Sequence, residues 1–334
     1  MEGKYDALLL VSFGGPESRD EVLPFLDRVL QGRNIPRERM LEVAEHYFHF
    51  GGVSPINSQN RVLLSAIEAE FTRKGPNLPV YWGNRNWHPL LEDTVRQMTA
   101  DGVKRALAFV TSAFSSYSSC RQYLEDIERA RLAVGPRAPE VDKLRVFYNH
   151  PGFIGANAEN VRSAHGRIAE QERDSTPLLF SAHSIPLKMA SACDYVAQLR
   201  EATALVAQAA GLETWELVYQ SRSGPPHQPW LEPGIEQRLE ELAEAGVKSV
   251  IVSPIGFISD HMEVVYDLDT ELRDQCNKLG VSLIRAGTAG THPDFVSMIR
   301  ELVLERLDEN SERRFLGTQG TGHDCCPAKC CLGD

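Results

Sequence analysis

No apolar run in this chain approaches the roughly 18–20 residues that a membrane-spanning helix needs. Ala7-Leu8-Leu9-Leu10-Val11 has the length of one buried strand, and the residues before it do not form the basic region of a secretory signal. Nucleotide signatures are missing too. No G-x-G-x-x-G follows the first strand, where Gly14-Gly15-Pro16 puts proline at the point where a phosphate loop would use a backbone N–H. Walker A and G-x-S-x-G segments are absent, so nucleotide-driven chemistry and serine hydrolysis lose their usual support. Positive charge is in deficit: 35 Lys and Arg against 46 Asp and Glu give a formal charge of −11 with no basic cluster, which argues against nonspecific binding to a phosphate backbone. Cysteine is sparse through most of the chain, at Cys120, Cys193 and Cys276. Cys325, Cys326, Cys330 and Cys331 then crowd the last ten residues. Without a secretion signal, such crowding favours metal binding over disulfides. The expectation is a cytoplasmic protein with no transmembrane segment.

What is present is an ordinary enzyme-like composition, 42% hydrophobic and 24% charged over 334 residues, long enough for two α/β domains. Strand-type runs at 7–11, 80–83, 106–111 and 144–148 alternate with amphipathic stretches at 21–30, 61–73, 90–100 and 121–134. The second half repeats the style, with strands near 177–181, 215–220, 249–254 and 281–286, and helices near 157–171, 194–210, 235–245 and 263–278. Such alternation predicts parallel sheets covered by helices on both faces. An internal echo supports two related lobes: Gly102-Val103-Lys104 and Gly246-Val247-Lys248 each precede an apolar strand, and Leu8–Pro16 resembles Leu178–Pro186. The expected organisation is an N-terminal lobe over 1–150, a second lobe over 151–290, a helix over 291–310 packing back across both, and a polar, glycine-rich tether over 311–334 carrying the cysteines.

Ligands bind beyond the carboxyl ends of strands in parallel sheets. His183, in Phe180-Ser181-Ala182-His183-Ser184-Ile185-Pro186, and Glu263, in Gly256-Phe257-Ile258-Ser259-Asp260-His261-Met262-Glu263, both follow strand ends and can face one cleft. In the next helix Val264, Leu268 and Leu272 make an apolar stripe, while Glu263, Asp267 and Glu271 make an acidic line at i, i+4, i+8. On a regular α-helix that line drifts by about 40° per step, and a local π-type widening would straighten it. One imidazole and a file of carboxylates suit moving a divalent metal ion and protons. The aromatic stretch from His46 to Ile56 reads either as a lip for a large flat ligand or as core packing at a helix end.

FSAHSIP (180–186), GFISDHMEVVYDLDTEL (256–272), HFGGVSPIN (49–57), WGNRNWHP (82–89) and YQSRSGPPHQPWLEP (219–233) resemble the signature segments of ferrochelatases, over residues 6–307. The closest likeness is to the actinobacterial type, many of which use coproporphyrin III. The resemblance implies two Rossmann-like chelatase lobes around a porphyrin cleft and insertion of Fe²⁺, with protoporphyrin IX as the alternative substrate. Chelation of Co²⁺ or Ni²⁺ into another tetrapyrrole and a non-enzymatic tetrapyrrole carrier are more distant alternatives. It further implies that His183 and Glu263 flank the metal from one face of the macrocycle, that Asp267 and Glu271 line a metal or proton path, and that Ser54 and Tyr123 contact porphyrin. Phe13, also expected to contact porphyrin, stands where some bacterial relatives carry a tyrosine that can ligate product iron, which phenylalanine cannot do. Arg85 and Arg222 are expected partners for propionates, given the bidentate geometry of arginine. Several ferrochelatases hold a [2Fe–2S] cluster on one internal and three C-terminal cysteines, and Cys120 with three of Cys325, Cys326, Cys330 and Cys331 fits that pattern. A Zn²⁺ site involving His323 is the alternative. Monomer or homodimer, and peripheral membrane contact, stay open.

Overall fold

The computed structural model describes residues 4–32, 35–225, 227–327 and 330–332. Its first half contains β1 Ala7–Ser12, α1 Val22–Val29, α2 Arg37–His49, α3 Ile56–Lys74, β2 Val80–Asn84, α4 Leu91–Ala100, β3 Arg105–Val110, α5 Gln122–Val134 and β4 Glu140–Lys143. The second contains α6 Pro151–His165, β5 Leu178–His183, α7 Leu187–Ser191, α8 Tyr195–Ala210, β6 Trp215–Gln220, α9 Ile235–Glu244, β7 Ser249–Ser253, α10 Met262–Tyr266, α11 Arg273–Leu279, β8 Ser282–Arg285 and α12 Pro293–Leu307. Two four-stranded sheets result, ordered β2-β1-β3-β4 and β6-β5-β7-β8, with every pairing parallel. These are the two Rossmann-like lobes expected of the alternating pattern, and no described helix is long and apolar enough to cross a membrane.

The central strands read as continuous apolar runs because both faces are covered. In β1, Leu8 and Leu10 enter one core with Phe71 and Phe109, whereas Ala7, Leu9 and Val11 enter another with Val95 and Met98. In β5, Leu178 and Phe180 join that first core while Leu179 meets Val250 and Val252 on the other side. The first core is therefore shared by the two sheets, with Phe147, Phe153 and Phe295 filling the space between them. Helix α12 packs on α3 and on α6, tying the halves together.

Three sequence expectations change. The strand expected at 144–148 is β4 at Glu140–Lys143, a half-exposed edge strand. Leu144–Tyr148 is buried but irregular, running into α6 as core filling, so its apolar run reports burial rather than pairing. Helix α2 was not expected; its apolar content is low, with only Met40 and Ala44 buried. The segment after Asn310 is no free tether. Leu316 and the Asn149 backbone pair at 2.9 Å, the Asn149 side chain donates to the Leu316 and Gly320 carbonyls at 3.2 and 2.8 Å, and Thr318 N–H donates to Glu201 at 2.7 Å. Hydrogen bonds rather than apolar burial hold this stretch, which is why its composition reads as loose.

Candidate active site

His183 is the last residue of β5. The loop after β7 reaches it because position 256 is glycine: a Cβ there would lie 2.7 Å from the Ala182 Cα. The Tyr195 hydroxyl donates to the His183 carbonyl at 3.0 Å. His183 Nδ1 faces the Ser184 carbonyl, which can only accept, so Nδ1 carries the proton and Nε2 is the ring atom left for chemistry. That Nε2 lies 3.7 Å from Glu263 Oε1. Both side chains keep open surface, 30% for His183 and 52% for Glu263.

Their electrostatics are mutual. Burial by itself would lower the His183 pKa, but the Glu263 carboxylate and the Ser184 carbonyl outweigh it and hold the imidazole above its ordinary value. Burial would raise Glu263, but His183 and then His261 hold it down at about 2. His261 caps α10: its Nδ1 accepts the Glu263 N–H at 3.2 Å, which leaves Nε2 as the protonated nitrogen of the neutral ring. Burial is the largest influence on His261 and lowers its pKa, so this second imidazole stays neutral.

Behind Glu263 the helix widens. Asp267–Leu272 forms a π-turn between α10 and α11, with Val264, Leu268 and Leu272 buried beneath it. This is the widening that would align the acidic line. Asp267 is raised to about 7, chiefly by burial and then by the Glu263 and Glu271 charges, against a hydrogen bond from the Ser221 hydroxyl. Glu271 is also raised, by burial first and then by Glu236 of α9. The carboxylates thus run from the cleft to exposed Glu271 and Glu236.

The first lobe contributes apolar and aromatic surface. Phe13, just after β1 and 36% exposed, stands edge-on to Phe25, which also meets Tyr47 and Trp87. Tyr47 has a raised pKa, from burial and then from the charge of Glu263. His46 stacks on Tyr266 with centroids 3.8 Å apart and an 8° interplanar angle, bridging the lobes beside the π-turn.

The structure therefore brings His183, Glu263, Asp267 and Glu271 together. Ser54 is buried, with its N–H on the Pro16 carbonyl. Arg222 is exposed and donates to the Gln228 carbonyl at 3.1 Å. Arg85 lies elsewhere than a free propionate partner would: its guanidinium is ion-paired with Asp126, stacks 4.4 Å over Tyr123, and leaves the side chain 7% exposed. A propionate would have to compete with Asp126. His261, Tyr47, Ser221, Tyr266 and Glu236 were not singled out from sequence. His261 lay inside the same acidic segment and Ser221 directly after a strand end, and both positions were available signals.

The cysteines form a second constellation. Cys120 lies in a π-turn, Tyr117–Arg121, preceding α5. Cys326 packs against the core that contains Cys120, and the neighbouring Cys326 thiol, with Lys143 and Arg121, holds the Cys120 thiol below its ordinary pKa against the effect of burial. Cys330 and Cys331 have their sulfurs 3.5 Å apart, and Cys325 is exposed. Among the described residues no three or more His, Cys, Asp or Glu side chains are grouped to hold a metal ion by themselves.

Known proteins agree with this picture. The ferrochelatase family pattern matches residues 5–307. A ferrochelatase of Rhodopirellula baltica is 58% identical over 98% of this chain and 93% of its own length. A coproporphyrin III ferrochelatase of Mycolicibacterium smegmatis is 50% identical over 97% of this chain and 98% of its own length. In fold, the chain resembles the sirohydrochlorin chelatase of Bacillus subtilis in its cobalt complex, with a TM-score of 0.54 at 11% identity, covering 92% of this chain and 97% of that one. A match spanning both sheets and the whole cleft, together with near-full-length relatives, means that this chain belongs to the ferrochelatase family.

Proposed function

We propose that this protein inserts Fe²⁺ into coproporphyrin III, releasing two protons, and that His183 and Glu263 do the chemistry. The observation that carries the reading is the 3.7 Å pairing of His183 Nε2 with the Glu263 carboxylate, backed by a carboxyl poised near neutrality at Asp267. Insertion replaces two pyrrole N–H protons by a metal ion, which calls for a base near neutral pH and for ligands that let the metal go. At rest the imidazole holds a proton against Glu263. Arriving Fe²⁺ takes over that attraction and displaces the proton, and imidazole and carboxylate then hold the ion only until the pyrrole nitrogens take it. Asp267, with a pKa near the working pH, accepts protons and passes them outward along Glu271 and Glu236. The aromatic surface of the first lobe serves as the wall for the flat macrocycle.

Coproporphyrin is favoured as substrate because relatives sharing about half of the sequence over nearly their full length are named for it. The test is anaerobic Fe²⁺ insertion into coproporphyrin III and protoporphyrin IX side by side, followed by absorbance. Faster turnover of coproporphyrin is expected. Faster turnover of protoporphyrin would overturn the substrate, and no insertion into either would overturn the enzyme reading in favour of a tetrapyrrole carrier.

Cys120, Cys326, Cys330 and Cys331 are the proposed holders of a [2Fe–2S] cluster, with Cys325 left out. Two features support this. Cys326 packs against the core that contains Cys120, and the Cys330 and Cys331 sulfurs lie 3.5 Å apart, which suits two irons with two thiolates each. Lys143 beside Cys120 favours the thiolate form that ligates. Bound there, the cluster would cross-link the tail to the first lobe. A cluster gives visible absorbance and iron in the metal-loaded protein, whereas a colourless, zinc-containing preparation would identify Zn²⁺ instead.

A further inference from the structure

Arg285, the last residue of the edge strand β8, reaches two acidic residues on different segments. Its Nη1 and Nη2 donate to the Asp260 carboxylate at 3.0 and 3.3 Å, while Nε donates to Asp269 at 2.8 Å. All three side chains are shielded, at 17%, 24% and 26% exposure. Asp260 opens the Asp260-His261-Met262-Glu263 segment that delivers Glu263 to the cleft, and its N–H donates to Gln59 of α3, in the first lobe, at 2.9 Å. Asp269 lies inside the π-turn, between Asp267 and Glu271.

We infer that Arg285 is a positioning residue for metal insertion: by holding Asp260 and Asp269 at once, it fixes the spacing between Glu263 and the acidic line of the π-turn. This rests on the metal-insertion reading above and adds a residue that touches neither metal nor porphyrin. The physical reason is the rarity of the π-turn, which forgoes regular helical hydrogen bonds and persists where surrounding contacts impose it. Asp269 is the turn's tie to the sheet. Asp260 is the tie of the Glu263 loop, both to the sheet and, through Gln59, to the opposite lobe. Without the guanidinium, shielded Asp260 would lose its ion pair and Asp269 would keep only Arg273, 3.4 Å away on its own helix, so nothing would tie the loop to the turn. Lysine cannot replace the planar fork, since one ammonium cannot serve both carboxylates with the same geometry.

A pocket of about 480 Å³ lined by Arg285, Arg273, Arg167 and Asn160 opens beside this clamp and permits a chemical test. In Arg285→Ala, added guanidinium ion at a sub-denaturing concentration can enter from that pocket. The expected result is a loss of about 10–100-fold in kcat/KM for Fe²⁺, with porphyrin affinity by fluorescence quenching held within about twofold, as for other outer supports of metal ligands. Guanidinium should restore part of the loss in Arg285→Ala and none in Arg285→Lys. A general structural role would lower porphyrin affinity and iron kinetics together and would show no rescue. Should Arg285→Ala fail to fold, Asp269→Asn decides, since it keeps the Asp260 pair: a raised KM for Fe²⁺ is expected, and an unchanged KM overturns the inference. Folded Arg285 variants with wild-type iron kinetics overturn it as well. If the wild-type protein inserts no iron, it is the enzyme reading that falls.

Discussion

The two lobes share a strand order and differ in chemistry. Leu8–Pro16 and Leu178–Pro186 align residue for residue, and in that alignment Phe13 falls on His183. At the same point of the same architecture one lobe presents an apolar ring and the other an imidazole. The third-placed strands, β3 and β7, each lead into a helix containing a π-turn. In the first lobe that turn carries Cys120, in the core against which Cys326 of the tail packs, and in the second it carries Asp267. A repeated backbone device thus supplies position, while side chains decide whether it carries a thiol or a carboxylate. In the proposed mechanism this becomes a division of labour, with the first lobe as the wall and the second holding His183 and the carboxylates.

Five substitutions test this division. Glu263→Gln keeps the shape and removes the charge that holds the His183 proton; insertion should fall by about 10²–10⁴-fold in anaerobic assays, with porphyrin binding retained. Asp267→Asn should slow insertion by about 10–100-fold above neutral pH. Its signature is in the pH profile. Asp267 is ionised only above about 7, so the wild-type rate should rise through that pH and the Asn variant should lose the rise. Stability carries the matching sign. A carboxyl whose folded pKa is raised binds its proton more tightly when folded, so its contribution declines as pH climbs from the unfolded value toward 7. Thermal melts should therefore show Asp267→Asn gaining on wild type between pH 5 and pH 8.

The cysteine predictions probe the first lobe's π-turn. Cys326→Ser should remove visible absorbance and bound iron, whereas Cys325→Ser should leave both intact; the reverse pattern would reassign the ligands. The smallest effect is expected for His46→Ala, which unstacks Tyr266 across the cleft. A stacked ring pair contributes about 0.5–1.5 kcal/mol, so KM for porphyrin should change by no more than about tenfold, read by steady-state kinetics.

Much of this was legible in the sequence because parallel strands buried on both faces announce themselves as apolar runs, and because acidic residues at 263, 267 and 271 drift apart on a regular helix and line up on a widened one. What escaped was contact between distant segments. Nothing near Arg85 in sequence reveals Asp126 as its partner, and nothing in the polar tail reveals the Asn149 and Glu201 hydrogen bonds that dock it. Leu144–Tyr148 misled because apolar content reports burial and not strand pairing. His261 was in plain view, but its use as a helix cap depends on a backbone N–H that only the fold places.

The most direct test of the account is to measure porphyrin binding and anaerobic Fe²⁺ insertion on one preparation of His183→Ala. The account predicts wild-type porphyrin affinity, since the first lobe provides the wall, together with insertion slowed by about 10²–10⁴-fold. Insertion at the wild-type rate would contradict it.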